Sequence, residues 1–155
     1  MKIKTPLLTL ALCFATAICF AAPSPFTGTW KLNDSKSKIS PGSGKNRMVV
    51  YTDAGGGKTK CTVDGVGADG KANHSEWTGK FDGKPYALTG DATSDMRWYK
   101  KFDDRTMDFG QTNGGKSTIT GRIMVSADGK SRTVNTTGMN AKGKKVSNTA
   151  VYDKK

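Results

Sequence analysis

The sequence predicts an all-β fold built as an antiparallel up-and-down meander. Short runs rich in β-branched and aromatic residues are separated by Gly, Asp and Asn, and no window carries apolar residues at helical spacing. Turn signals such as Asp69-Gly70, Asp82-Gly83 and Asp128-Gly129 recur along the chain, and Asp-Gly tolerates the positive φ that tight hairpins require. We therefore expect strands of about 6 to 10 residues joined by short turns.

Ten strands are expected between the turns, and one segment interrupts them. Residues 33–46 form a polar loop that allows a short helix over Asp34–Ser40, capped by its first residue. On the eighth predicted strand, alternation puts Ile119 and Ile123 on one face and Arg122 on the other. The predicted strands are Phe26–Leu32, Arg47–Thr52, Lys58–Val66, Lys71–Lys80, Lys84–Thr89, Met96–Phe102, Arg105–Thr112, Lys116–Ser126, Lys130–Gly138 and Lys144–Asp153.

Residues 1–21 have the features of a secretory signal peptide. Lys2 and Lys4 give a positive start, and the apolar stretch Leu7–Phe20 is too short to span a bilayer comfortably. Cleavage after this segment leaves residues 22–155, a length typical of a single domain. We therefore expect an exported protein without a membrane span, released into the periplasm or the extracellular medium.

The chain is strongly basic and keeps one cysteine once the signal peptide is removed. The whole sequence has 25 Lys and Arg against 13 Asp and Glu, and losing the two signal lysines leaves 23 bases and a net charge of about +10. No internal disulfide can form, so Cys61 is expected to be a small buried side chain, with intermolecular pairing or reactivity as alternatives. The bases attract anionic glycans or lipid headgroups, or serve solubility alone. The aromatics are not interleaved with them as nucleic-acid stacking requires.

Residues suited to catalysis or metal binding are few. His74 and Glu76 lie two apart and share one strand face, where an acid–base pair is conceivable and a polar stripe beside a turn is the plainer interpretation. One histidine and one mature cysteine do not make a zinc site. The sequence therefore predicts a protein that is not an enzyme and has no metal or cofactor.

Both ends of the mature chain resemble the calycins, the superfamily of lipocalins and fatty-acid-binding proteins. The run Phe26–Leu32 (FTGTWKL) resembles their first strand, and Val151–Lys155 (VYDKK) resembles their last. The resemblance implies a closed antiparallel β-barrel of about 8–10 strands, in which Trp30 plugs one end and Gly28 permits close strand approach. The chain is similar to exported bacterial lipocalin-like proteins without an assigned activity.

The resemblance departs from the family at the ligand carboxylate site. Fatty-acid-binding proteins hold the carboxylate with an Arg-x-Tyr on the last strand. Tyr152 matches the Tyr, but Ala150 stands where the Arg is expected. A charge partner for an anionic ligand must therefore come from another strand.

A charged and aromatic cluster predicts a ligand site inside the barrel. Arg97 and Tyr99 share one strand face, and if that face is interior they form a clamp for an anionic ligand. Arg122, Tyr152 and Trp77 are expected to join them. The plainer alternative makes Trp77 and Tyr99 core aromatics and puts Arg97 outside beside an acid. We expect a monomeric, non-enzymatic binding protein for a small, partly apolar, anionic ligand, or alternatively a basic surface module for anionic glycans or envelope lipids.

Overall fold

Ten antiparallel strands form a closed barrel in the computed structural model, which describes residues 23–140 and 142–155. Each strand pairs with the next along the chain, and the tenth pairs with the first. The predicted all-β up-and-down barrel is thus confirmed, while the predicted signal peptide, residues 1–21, lies outside the described residues. The strands are β1 Gly28–Leu32, β2 Lys45–Gly55, β3 Lys58–Val66, β4 Ala72–Gly79, β5 Tyr86–Thr89, β6 Met96–Lys101, β7 Thr106–Asn113, β8 Lys116–Val125, β9 Ser131–Met139 and β10 Lys145–Lys154.

The strand boundaries differ from the predicted ones at a few ends. The prediction for β3 coincides with the structure, whereas β2 extends beyond Arg47–Thr52 on both sides through register shifts between Asn46 and Met48 and next to Gly55. Strand β5 begins at Tyr86 rather than at residue 84. The preceding residue is Pro85, which has no N–H to donate to a strand ladder.

Residues 33–44 form a strap that runs along β10 before β2 begins. The polar loop is confirmed, and of the short helix that the sequence allows over Asp34–Ser40 only a three-residue 3-10 turn forms. Its cap is Asn33, whose side-chain oxygen accepts from the turn at 3.2 Å. Beyond the turn, the Lys38 N–H donates to the Thr149 carbonyl at 2.7 Å, and the Thr149 N–H donates back at 2.9 Å. This pairing extends the backbone and excludes a longer helix.

Aromatic side chains seal one end of the barrel, called here the closed end and defined by Phe26, Trp30 and Phe81. Trp30 is fully buried, and its Nε1 donates to the Phe26 carbonyl at 2.9 Å. The Phe26 and Phe81 rings meet edge to face at 6.1 Å. Gly28 has φ +119°, a conformation that favours glycine, while a Cβ there would meet only the mobile end of the Lys154 side chain, with Cε at 2.8 Å.

The opposite end, called here the mouth, is bordered by the strap and by the turns that follow β3, β5, β7 and β9. Between the two ends, Cys61 is fully buried, which confirms the prediction that it is a small core side chain. The part of the chain that the structure describes holds no helix of the length and hydropathy that a membrane crossing needs.

Candidate functional site

Arg97 points into the barrel from β6. Alternation along this strand turns Arg97 and Tyr99 to the same side, and they are only 4% and 3% exposed. Trp77 donates its Nε1 proton to the Arg97 carbonyl at 2.8 Å, which fixes the strand where the guanidinium begins. Arg97 Nη1 lies 3.5 Å from the Tyr99 hydroxyl. The clamp predicted from the sequence is therefore an interior pair.

A hydrogen-bonded chain leads from this guanidinium toward the mouth. Gln111 faces Arg97 across the β6–β7 ladder, and its amide is oriented by its neighbours. The amide oxygen accepts from Arg97 Nε at 2.9 Å and also from Nη2, while the amide nitrogen donates to Ser94 Oγ at 3.1 Å. Ser94 Oγ lies 2.7 Å from the Thr118 hydroxyl, which is half-buried. All of these partners are neutral, so none balances the charge of Arg97.

The cross-strand row that contains Arg97 opens toward solvent at its far end. Registers place Arg97, Gln111, Ile119, Gly138 and Val146 in one row over five strands. The first two residues are buried, and the last three are half-buried. Solvent exposure therefore rises along this row from the guanidinium toward the mouth, and the half-buried positions include the apolar side chains of Ile119 and Val146.

A second interior guanidinium, on Arg132, lies at the closed end. It is 2% exposed and stacks on three rings, with its Cζ 5.0, 5.2 and 4.7 Å from the centroids of Trp30, Tyr51 and Tyr152. Cation–π attraction compensates part of the loss of hydration. The Nε and Nη1 atoms of Arg132 are nevertheless buried without a hydrogen-bond partner.

The interior holds two positive side chains and no buried acidic one, although the half-buried Asp91, in the turn after β5, favours the charged form of Arg97 electrostatically. Arg97 and Arg132 are the two buried charges among the described residues, and all 13 acidic side chains of the chain lie at half-buried or exposed positions. The buried phenols do not supply an anion. Burial raises the pKa of Tyr51 to about 12, and burial also raises the pKa values of Tyr99 and Tyr152. Among the described residues, no acidic side chain forms a direct ion pair with either buried guanidinium.

Two other predicted site residues, Trp77 and Tyr152, are also inside the barrel. Trp77 packs edge to face on Tyr99, with ring centroids 4.8 Å apart, and stacks on Phe81 of the closed end at 6.2 Å, so it links the Arg97 pair to that end. Tyr152 is buried in the barrel but contacts Arg132 at the closed end. Trp77 and Tyr99 are thus core aromatics, as the plainer alternative holds, while Arg97 is interior, as the ligand hypothesis requires.

Arg122 does not join the predicted cluster. It projects from the outer face of β8 and is exposed, and it binds Asp108 on β7 with both ends of its guanidinium, at 2.7 and 3.0 Å. The outward position of Arg122 follows from strand alternation. Ile123 is buried, so the pleat of the strand turns its neighbour Arg122 outward.

His74 and Glu76 belong to an exposed cross-strand charge cluster. His74 Nδ1 lies 2.7 Å from an Asp64 oxygen on β3, and Glu76 lies 2.9 Å from Lys60 Nζ on the same strand. Side-chain hydrogen bonding to Asp64 raises the pKa of His74, against a smaller opposing effect of desolvation. Within residues 23–140 and 142–155, no group of three or more His, Cys, Asp and Glu side chains is placed to hold a metal ion.

Asp64→Asn is expected to lower the pKa of His74 toward its ordinary value of about 6.5, because it removes the carboxylate that stabilises the imidazolium. Since folding raises the pKa of His74, the His74–Asp64 pair stabilises the fold fully at pH values below the ordinary histidine pKa. That contribution is lost as pH rises through the folded pKa. Titration of the His74 ring protons by NMR measures the change, and Lys60→Met is the control on the neighbouring pair. An unchanged His74 pKa in Asp64→Asn contradicts the assignment.

Sequence reasoning missed Gln111 and Arg132, although alternation carried the signal for both. Gln111 shares its strand face with Met107 and Phe109, and Arg132 shares its face with Val134. A polar residue that continues an apolar face predicts an interior position. The link from Gln111 to Ser94 carried no such signal, because it joins a strand to a turn 17 positions away.

Comparison with known proteins gives a distant structural likeness and no match by sequence. No known family and no curated protein matches the sequence. The fold is similar to a redesigned β-barrel, mFAP1, whose structure was solved bound to DFHBI. The two chains are 12% identical, the match covers 84% of this chain and 95% of that one, and the TM-score is 0.43. The ten-stranded closed barrel is consistent with the calycin resemblance, and the candidate function rests on the geometry of this chain alone.

Proposed function

We propose that this barrel binds a small organic anion and that Arg97 is its main charge partner. The supporting observation is the interior charge: two guanidinium groups are buried, and none of the 13 acidic side chains is buried with them. Leaving a charge in a protein interior without an opposite partner costs several kcal/mol. An anionic group bound at Arg97 offsets that cost, because it supplies the opposite charge.

Arg97 suits this role better than Arg132 does. Three aromatic rings surround Arg132 at the closed end, within 4.7 to 5.2 Å of its Cζ. Arg97 instead lies in the row that leads to half-buried Ile119 and Val146 near the mouth. A carboxylate with a short apolar tail matches this row, because its charge pairs with Arg97 and its tail contacts Ile119 and Val146.

In this proposal the protein carries its ligand unchanged and acts as a monomer. Arg97, Gln111 and Tyr99 offer charge and hydrogen bonds but no activated nucleophile. The features of residues 1–21 support the further proposal that binding takes place outside the cytosol, in the periplasm or the medium.

The proposal is tested by isothermal titration with octanoate and with octan-1-ol, which share a tail and differ in charge. The unmodified protein is expected to bind octanoate about 10- to 100-fold more tightly, as a hydrogen-bonded charge contributes about 1.5–3 kcal/mol. Arg97→Met should abolish this preference, whereas Arg122→Met, which removes an exposed guanidinium, should keep it. Equal losses in the two variants, with steep salt dependence, would instead support binding at the basic surface.

A further inference from the structure

The outer face of β6–β10 carries a groove of about 540 Å³, on the side of the sheet away from Arg97. Its volume lies in the range of small-molecule sites, about 300–1,000 Å³. Two adjacent cross-strand rows supply its outward side chains. One row is Asp108, Arg122, Asn135 and Thr149, and the other is Trp98, Gly110, Thr120, Thr137 and Ser147.

Trp98 forms an aromatic platform at one edge of the groove. A Cβ built on Gly110 would lie 2.6 to 2.7 Å from indole atoms Nε1, Cε2 and Cζ2. These short distances show that the indole occupies the space of the missing Gly110 side chain. Gly110 is buried beneath the indole, while Trp98 itself is half-buried. The outer face of the ring is therefore available for stacking.

The remaining groove side chains are neutral hydrogen-bonding groups. Thr149 donates to the Asn135 side-chain oxygen at 2.9 Å, so the amide nitrogen of Asn135 is the group it offers to a ligand. Thr137 and Ser147 place their hydroxyls 3.3 Å apart on neighbouring strands. These hydroxyls can both donate and accept, which suits a partner that carries many hydroxyl groups itself.

The charges in the groove cancel each other. Arg122 and Asp108 form a two-point pair at 2.7 and 3.0 Å, and no other charged side chain lines the groove among the described residues. An anionic occupant would compete with Asp108 for its arginine. A neutral occupant can accept or donate hydrogen bonds at the pair without breaking it. The groove therefore favours an uncharged ligand, in contrast to the barrel interior.

We infer that this groove binds a neutral oligosaccharide, with one sugar ring stacked on Trp98 and the following rings hydrogen-bonded along the Thr, Ser and Asn rows. A sugar ring has an apolar face of C–H groups that matches the negative face of an indole, and its hydroxyls match the polar rows. Five strands at about 4.8 Å spacing give a platform about 19 Å long, which accommodates several rings in line. The groove lies outside the barrel, so this site does not depend on the proposed anion site.

The test is titration of the protein with maltohexaose, cellohexaose and chitohexaose, followed by tryptophan fluorescence and calorimetry. Binding of at least one of them is expected, weakened about tenfold or more by Trp98→Ala, as for a stacked aromatic anchor. Thr137→Ala should also weaken binding, while Thr52→Ala, an exposed threonine of β2, is the matched control. Arg97→Met should leave oligosaccharide binding unchanged.

Three results would overturn the inference. The first is the lack of binding to all three oligosaccharides, and the second is binding that Trp98→Ala leaves intact. The third is a self-associated protein in sedimentation that Trp98→Ala converts to monomer, because the face is then an interface between copies of the chain. None of these results bears on octanoate binding, so the two proposals fail separately.

Discussion

Trp30→Ala is expected to lower the free energy of unfolding by about 3–5 kcal/mol, the range for deleting a large buried aromatic side chain. Trp30 is fully buried at the closed end and donates to the Phe26 carbonyl at 2.9 Å. Its ring also lies 5.0 Å from Arg132 Cζ and 5.1 Å from Lys154 Nζ. Its loss leaves a cavity and removes one of the rings that compensate the buried guanidinium of Arg132.

Equilibrium unfolding in urea, followed by circular dichroism, measures this effect without using the tryptophan signal. Trp98→Ala is the matched control, since it removes the same side chain from a half-buried outer position. Its expected cost is about 1 kcal/mol. Equal losses for the two variants would contradict the assignment of Trp30 as the plug of the closed end.

Gly90→Ala is expected to cost about 2–5 kcal/mol of unfolding free energy, from two separate causes. Gly90 follows β5 with φ +79°, a conformation that a residue with a Cβ adopts only under strain. A Cβ would in addition collide with the backbone carbonyl oxygen of His74 on β4. Neither Gly90 nor His74 can move away without breaking the hydrogen bonds between β4 and β5. These two strands pair at Trp77.

Gly129→Ala separates the two causes. Gly129 has φ +69°, but a Cβ there would meet nothing within 4 Å, so only the conformational cost of about 1–2 kcal/mol is expected. Chemical denaturation of the two variants side by side gives the difference. If Gly90→Ala loses no more stability than Gly129→Ala, the close contact with His74 is not a constraint on the fold.

Local patterns in the sequence predicted the strands well because each strand is bounded by a turn of recognisable chemistry. Alternation also decides which polar residues turn inward. Alternation put Arg97 and Tyr99 on one face and left open whether that face is interior, and the same rule places Arg122 outside through its neighbour Ile123. Where alternation along one strand carries the information, the candidate site is predictable from the sequence.

Features that depend on the register between strands were not predictable. The outer groove exists because Trp98 on β6 lies opposite Gly110 on β7, and because three further strands continue the same row. The strap likewise depends on a pairing between Lys38 and Thr149, more than a hundred positions apart. No local pattern fixes such distant matches, so the helix that the local sequence allows over Asp34–Ser40 is replaced beyond its first turn by tertiary pairing.

The closure of the barrel places the slow step of folding at one seam. Nine of the ten strand pairings join consecutive strands, whereas β1 and β10 bring together residues such as Asn33 and Asp153, 120 positions apart. Loop-closure entropy makes this contact the most costly to form, and non-local contacts slow folding. The Lys155 N–H donates to the Thr29 carbonyl at 2.9 Å, so the two ends of the barrel chain lie close together. A circular permutant can therefore join these ends and open the chain in the β7–β8 turn. In that permutant the β1–β10 seam becomes a local hairpin. The β7–β8 pairing then becomes the distant one, so such a permutant should fold at a similar rate, with the slow step moved to that seam.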